Sequence, residues 1–265
     1  MDISIVTVCY NAQEDIVETI ESILAQTDLT NCEYIIKDAL STDRTVKIAE
    51  SYSTVFTDRK INFQLFQARD NGIYAAMNQS ISLCSGEWVL FLNAGDKLYD
   101  NTVIERIKKY LQQIPSVIGM VYGNAAVVLE NGEIIQVQCN HELLAYRSSI
   151  CHQACFTQRK YLEKFGFDES FKILSDRDLF LRMTEQNIPF YKLDILVCTY
   201  RRGGASNNSF RRNFLEEKKL EEKHHFQVAR GKYWKRYMMS CLKDIMVKAF
   251  PWMADWVYKW KNRKK

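Results

Sequence analysis

Residues 3–26, ISIVTVCYNAQEDIVETIESILAQ, change period partway along. Ile3–Cys9 is a largely apolar run rich in β-branched residues, the pattern of a strand buried on both faces. After a polar turn, Ile16, Ile20, Ile23 and Leu24 recur at the spacing of a helix lying on a sheet. Asn11 and Glu14 are placed to act as an N-cap and its reciprocal partner.

The same unit repeats downstream. CEYIIKD (32–38) predicts a second strand, STDRTVKIAESY (41–52) a second capped helix and INFQLF (61–66) a third strand. A helix from about residue 73 to 82 and a fourth strand at Trp88–Leu92 follow. Strands alternating with helices imply parallel pairing through right-handed crossovers, a Rossmann-like α/β half whose ligands sit at the carboxyl ends of the strands. Past Pro115 the pattern changes. VIGMVYGNAAVVLENGEIIQVQ (117–138) predicts strands around an Asn131-Gly132 turn, then a helix near 176–186 and a strand near 196–200. Gly, Ser and Asn cluster in RRGGASNNS (201–209), which sets the expected boundary between a catalytic-type domain, 1–205, and a helical extension, 206–265.

The chain has 265 residues, 47% hydrophobic and 26% charged, enough for one substantial core with an appendage. Its net charge of +4 conceals an asymmetry, because eleven Lys/Arg against two Asp fall between Arg230 and the end. The rest of the chain is net acidic. Eight cysteines stand singly, with no CxxC and no spaced Cys/His set for structural zinc, which reads as reduced thiols. The N-terminus has no basic region ahead of its apolar run, and no stretch reaches the ~18 uncharged apolar residues that span a bilayer. The expected location is therefore the cytoplasm, peripheral on the inner face of the cell membrane.

Three polar groups fall at predicted strand ends: Tyr10-Asn11, Asp38, and the turn Asn93–Asp96 within GEWVLFLNAGDKLYD (86–100). A single acid there reads equally as turn chemistry. Parallel pairing brings all three to one edge, where together they mark a site.

Five segments then resemble glycosyltransferase family 2, inverting nucleotide-sugar enzymes with the GT-A fold. They are SIVTVCYNAQEDIVETIESILAQ, YIIKDALSTDRT, ARDNGIYAAMNQSI, SGEWVLFLNAGDKL and GFDESFKILSDRDLFLRM, in family order across about residues 3–183. The likeness is to the bacterial branch that builds cell-surface polysaccharides, whose members carry DxGIYDAMN. It implies a GT-A fold: a Rossmann-like nucleotide-binding half, a mixed-sheet acceptor half and here a C-terminal helical extension. It also implies a nucleotide-diphosphate-sugar donor, a saccharide or lipid-linked acceptor, and Mg²⁺ or Mn²⁺.

Carried over residue by residue, the resemblance gives Tyr10 and Asp38 to the nucleobase. Arg69 matches a donor-contacting position, and Asp70 begins the DxGIY segment. Asp96 is the metal-holding carboxylate of a DxD-type turn in which Asn93 stands first and Gly95 in the middle. Asn93 still offers a neutral oxygen to a ligand or a hydrogen bond to ribose. Asp176 matches the general base, favoured over Asp178. His152, in CHQACF, resembles a His-Gln-Ala segment that would meet acceptor or phosphate. Arg201 and Arg202 read as a lid over the diphosphate. Ala75 replaces the acid usual in GIYDAMN, a change that bears on sugar or acceptor choice. Structural readings stand beside these: Tyr10 in the core, Asp38 or Asn93–Asp96 as turn formers, Arg69 in a surface ion pair, His152 as a satisfied structural residue, Asp176 as an N-cap, and Arg201 and Arg202 in an ordinary solvated loop.

From Tyr233 onward, apolar residues at helical spacing are interleaved with cations, and Trp252, Trp256 and Trp260 follow Pro251. That reads as an interfacial helix pair on an anionic membrane surface, or as amphipathic helices docked on protein. The competing functions are a nucleotidyltransferase, which would need a Gly-rich loop that CYNAQED lacks, and a catalytically silent GT-A scaffold. A nucleic-acid binder is disfavoured by the acidic body and the lack of any recognised module.

Overall fold

The structure, a computed structural model, describes residues 2–129, 131–201, 210–226 and 230–249. In chain order it contains β1 (Ile3–Cys9), α1 (Ile16–Leu24), β2 (Cys32–Asp38), α2 (Thr45–Ser51), α3 (Ser53–Asp58), β3 (Asn62–Gln67), α4 (Ile73–Ile81) and β4 (Trp88–Phe91). There follow β5 (Lys97–Leu98), α5 (Val103–Leu111), β6 (Met120–Val128), β7 (Ile134–Val137), β8 (Cys155–Gln158), α6 (Arg159–Phe165), α7 (Ser175–Glu185), β9 (Phe190–Arg201), α8 (Phe210–Lys223) and α9 (Arg230–Ala249). The chain forms two compact units, Met1–Ala126 with Gln138–Tyr200, and Val127–Val137 with Arg201–Lys265.

The first unit is organised by a sheet of order β3-β2-β1-β4-β8-β6-β9-β5. β1 pairs parallel with both β2 and β4, and β2 with β3, as alternating strands and helices require. β1 and β2 are buried along their whole length, which accounts for their continuous apolar runs. β8 then pairs antiparallel with β4 and with β6, and β9 antiparallel with β5. A parallel half is thus joined to an antiparallel one. Ile16, Ile20, Ile23 and Leu24 of α1 are buried in the same cluster as Ile3, Ile5 and Leu90. Each such side chain contributes roughly 1.5–3 kcal/mol of burial.

α1 starts later than its capping signals suggest. Its first residue is Ile16, preceded by Asp15 with no side-chain cap. Asn11 instead takes a positive φ of 49°, a conformation Asn tolerates, and its Oδ1 accepts from Thr42 N at 2.8 Å. It ties the loop after β1 to the loop after β2 rather than opening a helix. The sequence reading also passed over β5, α5, β8 and α6. α5 was legible, since VIERIKKYL buries Val103, Ile104 and Ile107 on one face.

In the second unit, the Asn131-Gly132 turn forms as expected. Gly132 has φ 80°, its N–H donates to Leu129 O at 2.9 Å, and Leu129 N donates to Glu133 O at 2.9 Å. Helices α8 and α9 pack on each other, with the Phe214 and Tyr237 rings 5.7 Å apart. No helix among the described residues is long and apolar enough to cross a membrane. Arg202 and residues 250–265 lie outside the described residues.

Candidate active site

The carboxyl ends of β1, β2 and β4 deliver the residues singled out above. After β4, the backbone turns at Asn93–Asp96, with Asp96 N donating to Asn93 O at 3.0 Å. Thr19 of α1 clamps the turn, its Oγ1 accepting from Gly95 N at 2.9 Å and donating to Asp96 O at 2.8 Å. Gly95 needs to be glycine because its φ is 89°.

The turn points its polar side chains at elements of the antiparallel half. Asp96 is buried, and its Oδ2 accepts from Gln153 Nε2 at 2.9 Å. Burial pushes the Asp96 carboxyl up to about 6, against the pull of the Gln153 hydrogen bond, and Asp15 pushes it up further. Asn93 Nδ2 lies 3.1 Å from His152 Nε2, and Asn93 Oδ1 is buried with no hydrogen-bond partner. His152 Nδ1 in turn lies 3.1 Å from Asp176 Oδ2.

Asp176 sits in the first turn of α7, whose N-cap is Leu174 without a side-chain bond. The capping role considered for Asp176 is therefore not the one it plays. Arg177 N donates to its Oδ1 at 2.7 Å, and the Tyr74 hydroxyl, which donates to Ile173 O at 2.6 Å, lies 3.4 Å from the same oxygen. Asp178 faces elsewhere. It is fully buried and accepts from Arg182 Nε at 2.8 Å, one turn along.

The residues around the ends of β1–β3 are arranged differently. Tyr10 is 61% exposed, so it is not core, and its ring is open to stacking. Asp38 is fully buried, accepting from Ser41 N at 2.8 Å, from Ser41 Oγ and from Cys9 Sγ. It shapes the loop after β2 from beneath. Asp70 pairs with Lys37, and its Oδ1 accepts from Gly72 N at 3.0 Å. Lys37 also donates to Ala68 O at 2.6 Å, which pins the segment carrying the exposed Arg69 to the end of β2. Arg201 is the exposed last residue of β9.

Asn93, His152 and Asp176 are thus joined by side-chain contacts, and Asp96 is held by Gln153, the chain neighbour of His152, whereas Tyr10, Asp38, Arg69 and Asp70 lie around the ends of β1–β3. Two contributors escaped the sequence reading. Gln153 stood beside His152 in a quoted motif. Lys37 was visible as a lone cation inside a buried strand, a position that demands an opposite charge.

This fold, with its acidic turn after β4 and a carboxylate opening α7, defines a class. The sequence model of Glycosyl transferase family 2 matches residues 4–176, and the chain belongs to that family. It is a glycosyltransferase of GT-A fold. It is 29% identical over 204 residues to a PGL/p-HBAD biosynthesis glycosyltransferase of Mycobacterium tuberculosis, covering 74% of this chain and 76% of the relative. It is 26% identical over 231 residues to chondroitin synthase of Escherichia coli, covering 85% of this chain and 32% of that longer protein. Among solved structures, S. aureus TarS 1-349 in complex with UDP-GlcNAc superposes with a TM-score of 0.67 at 16% identity, over 89% of this chain and 70% of that one. Mannosyltransferase PcManGT from Pyrobaculum calidifontis, in complex with GDP-Man and Mn²⁺, gives 0.65 at 16%, over 96% and 72%.

Proposed function

We propose that this chain moves a sugar from a nucleotide-diphosphate-sugar donor to a hydroxyl of a saccharide or lipid-linked acceptor, inverting the anomeric carbon. The observation that supports it most is the convergence of Asp176 with the Asn93–Asp96 turn, residues about eighty positions apart joined through one imidazole. Asp176 is the general base. As the acceptor oxygen bonds to the anomeric carbon, its proton passes to the Asp176 carboxylate. The bond from that carbon to the diphosphate breaks, its electron pair leaving with the nucleoside diphosphate. Residues that hold both substrates in line supply much of the acceleration.

Tyr10 stacks on the base, Asp38 holds the loop that borders it, and Arg69 reaches the donor, with Asp70 fixing Arg69's segment. The turn suits a hard cation: Asp96 is a desolvated carboxylate, and Asn93 Oδ1 is a buried oxygen lacking a donor. Asp96 would hold Mg²⁺ or Mn²⁺, with Asn93 Oδ1 beside it. Such an ion supplies neutralisation of charge on the departing diphosphate. Both nitrogens of His152 are engaged by protein, Nε2 facing Asn93 and Nδ1 facing Asp176, which leaves neither for acceptor or phosphate.

Asp176→Asn tests the reading. Transfer is expected to fall by about 10²–10⁴-fold, while calorimetric affinity for the nucleotide sugar stays within roughly two-fold. NMR of the wild-type product should show the anomeric configuration opposite to the donor's. Unchanged turnover in the variant would point to another base, no turnover in either protein would favour the scaffold alternative, and a retained configuration would remove the displacement mechanism.

We place the extension, residues 206–265, at an anionic membrane surface. In α9, Met238, Met239, Leu242, Ile245 and Met246 form an exposed apolar stripe, while Tyr237 turns towards α8. The cations of residues 230–265 match anionic headgroups. The full chain is expected to sediment with anionic phospholipid vesicles and to be released by salt. No binding at low salt would refute this placement.

A further inference from the structure

His152 occupies an unusual place, between the proposed base and the first residue of the metal turn. Its chemistry can be read from its neighbours. Asn93 Nδ2 can only donate, so the His152 Nε2 that faces it at 3.1 Å must accept. The ring proton then resides on Nδ1, which faces Asp176 Oδ2 at 3.1 Å and donates to it. The chain therefore runs one way, from the Asn93 amide through the imidazole to the Asp176 carboxylate.

Two consequences follow from that direction. An imidazole oriented by an aspartate could itself act as the base, but its free nitrogen is already committed to Asn93, which leaves the carboxylate as proton acceptor. Moreover, once Asn93 Nδ2 is held by His152, its Oδ1 is turned to the other side of the amide. That is the buried oxygen found without a partner. A carboxylate at position 93 would present no N–H to Nε2, so this arrangement is tied to the Asn that stands there.

We infer that His152 is a positioning residue, held in its Nδ1–H tautomer, that orients both Asp176 and the Asn93 amide so that one hydrogen-bonded chain aligns the base and the donor-side oxygen. The inference rests on the proposed function for what is being aligned, but the bonding itself is independent of it. Outer partners of this kind typically affect affinity or activity by about 10–100-fold.

The decisive measurement is the ¹⁵N NMR spectrum of the His152 ring in the full wild-type chain at neutral pH. A single tautomer protonated at Nδ1 is expected, whether or not any donor binds; a ring protonated at Nε2 overturns the inference. Calorimetry and kinetics then read the coupling. His152→Ala is expected to lower both kcat and Mn²⁺-dependent affinity for the nucleotide sugar by roughly 10–100-fold. Asn93→Ala is expected to lower that affinity comparably, and the double variant to bind no worse than the weaker single one, because one chain is broken either way. His152→Gln, whose amide can donate to Asp176 and accept from Asn93, should recover part of both. Additive losses of affinity, or a His152→Ala variant within about two-fold of wild type in both readouts, would overturn it. If the wild type bound no nucleotide sugar at all, the proposed function would fail while the ring spectrum still decided the bonding.

Discussion

Asp38 and Asp70 near the ends of β2 and β3, and Asp96 and Asp176 at the turn after β4 and the start of α7, are carboxylates withdrawn from solvent, yet their surroundings differ in kind. Asp38 receives a backbone N–H and a hydroxyl from the loop after β2 and a thiol from the end of β1, and Asp70 receives an ammonium and a backbone N–H. Asp96 receives the Gln153 amide and the Asn93 backbone, and Asp176 one backbone N–H, one imidazole and, at 3.4 Å, the Tyr74 hydroxyl. The first pair is answered from within the chain. Of the second pair, Asp96 is held by few donors and its pKa is pushed up to about 6 by burial, so a cation arriving from outside has somewhere favourable to go. A buried acid answered by its own protein builds structure, and one answered only in part is prepared for a ligand.

The contrast is broken most severely at Lys37. Removing the ammonium by Lys37→Met leaves the Asp70 side chain, 7% exposed, as a charge without its partner. Losing one member of such a pair costs about 3–5 kcal/mol, expected as a lowered denaturant midpoint. Adding Asp70→Leu to that variant should restore most of the stability, because no charge then remains to be solvated. Donor affinity is not expected to return with it, since the segment carrying Arg69 is no longer tethered at Asp70 to the end of β2. A double variant as unstable as the single one would show that the pair is not what makes Asp70 structural.

How far the sequence disclosed this arrangement depends on the kind of interaction. The parallel half was legible because burial on both faces writes continuous apolar runs, and α1 because Ile16, Ile20, Ile23 and Leu24 keep one face. The end of β4 was legible for the same reason, since Trp88–Phe91 must stop where Asn93 begins. β8 was not, because its four residues CFTQ carry no distinguishing period. The site's residue types were visible, but not their pairing. Nothing local in CHQACF says that His152 faces Asn93, 59 positions earlier, and Asp176, 24 positions later. DALS leaves open whether Asp38 turns back on Ser41 or faces outward, a local choice, whereas the pairing of His152 with Asn93 and Asp176 arises only when the antiparallel half closes on the parallel one.

The contrast is sharpened, with a smaller effect, at Asp96. Its pKa in the folded protein is raised from the ordinary 3.8 to about 6, so between those values the folded state binds a proton that the unfolded state has released. Wild-type stability therefore falls as pH rises through that window, relative to a variant with no charge to lose. Asp96→Asn should match wild type below about pH 4 and exceed it by roughly 2–3 kcal/mol above about pH 6. Mn²⁺ should reverse the order at neutral pH, raising the melting temperature of wild type and not of the variant, because only the carboxylate gains a cation on binding. Paired melts across pH 4–8, with and without the ion, measure both. A variant less stable than wild type at neutral pH without metal would mean that Gln153 satisfies Asp96 fully, and would move Asp96 into the group already answered by its own protein.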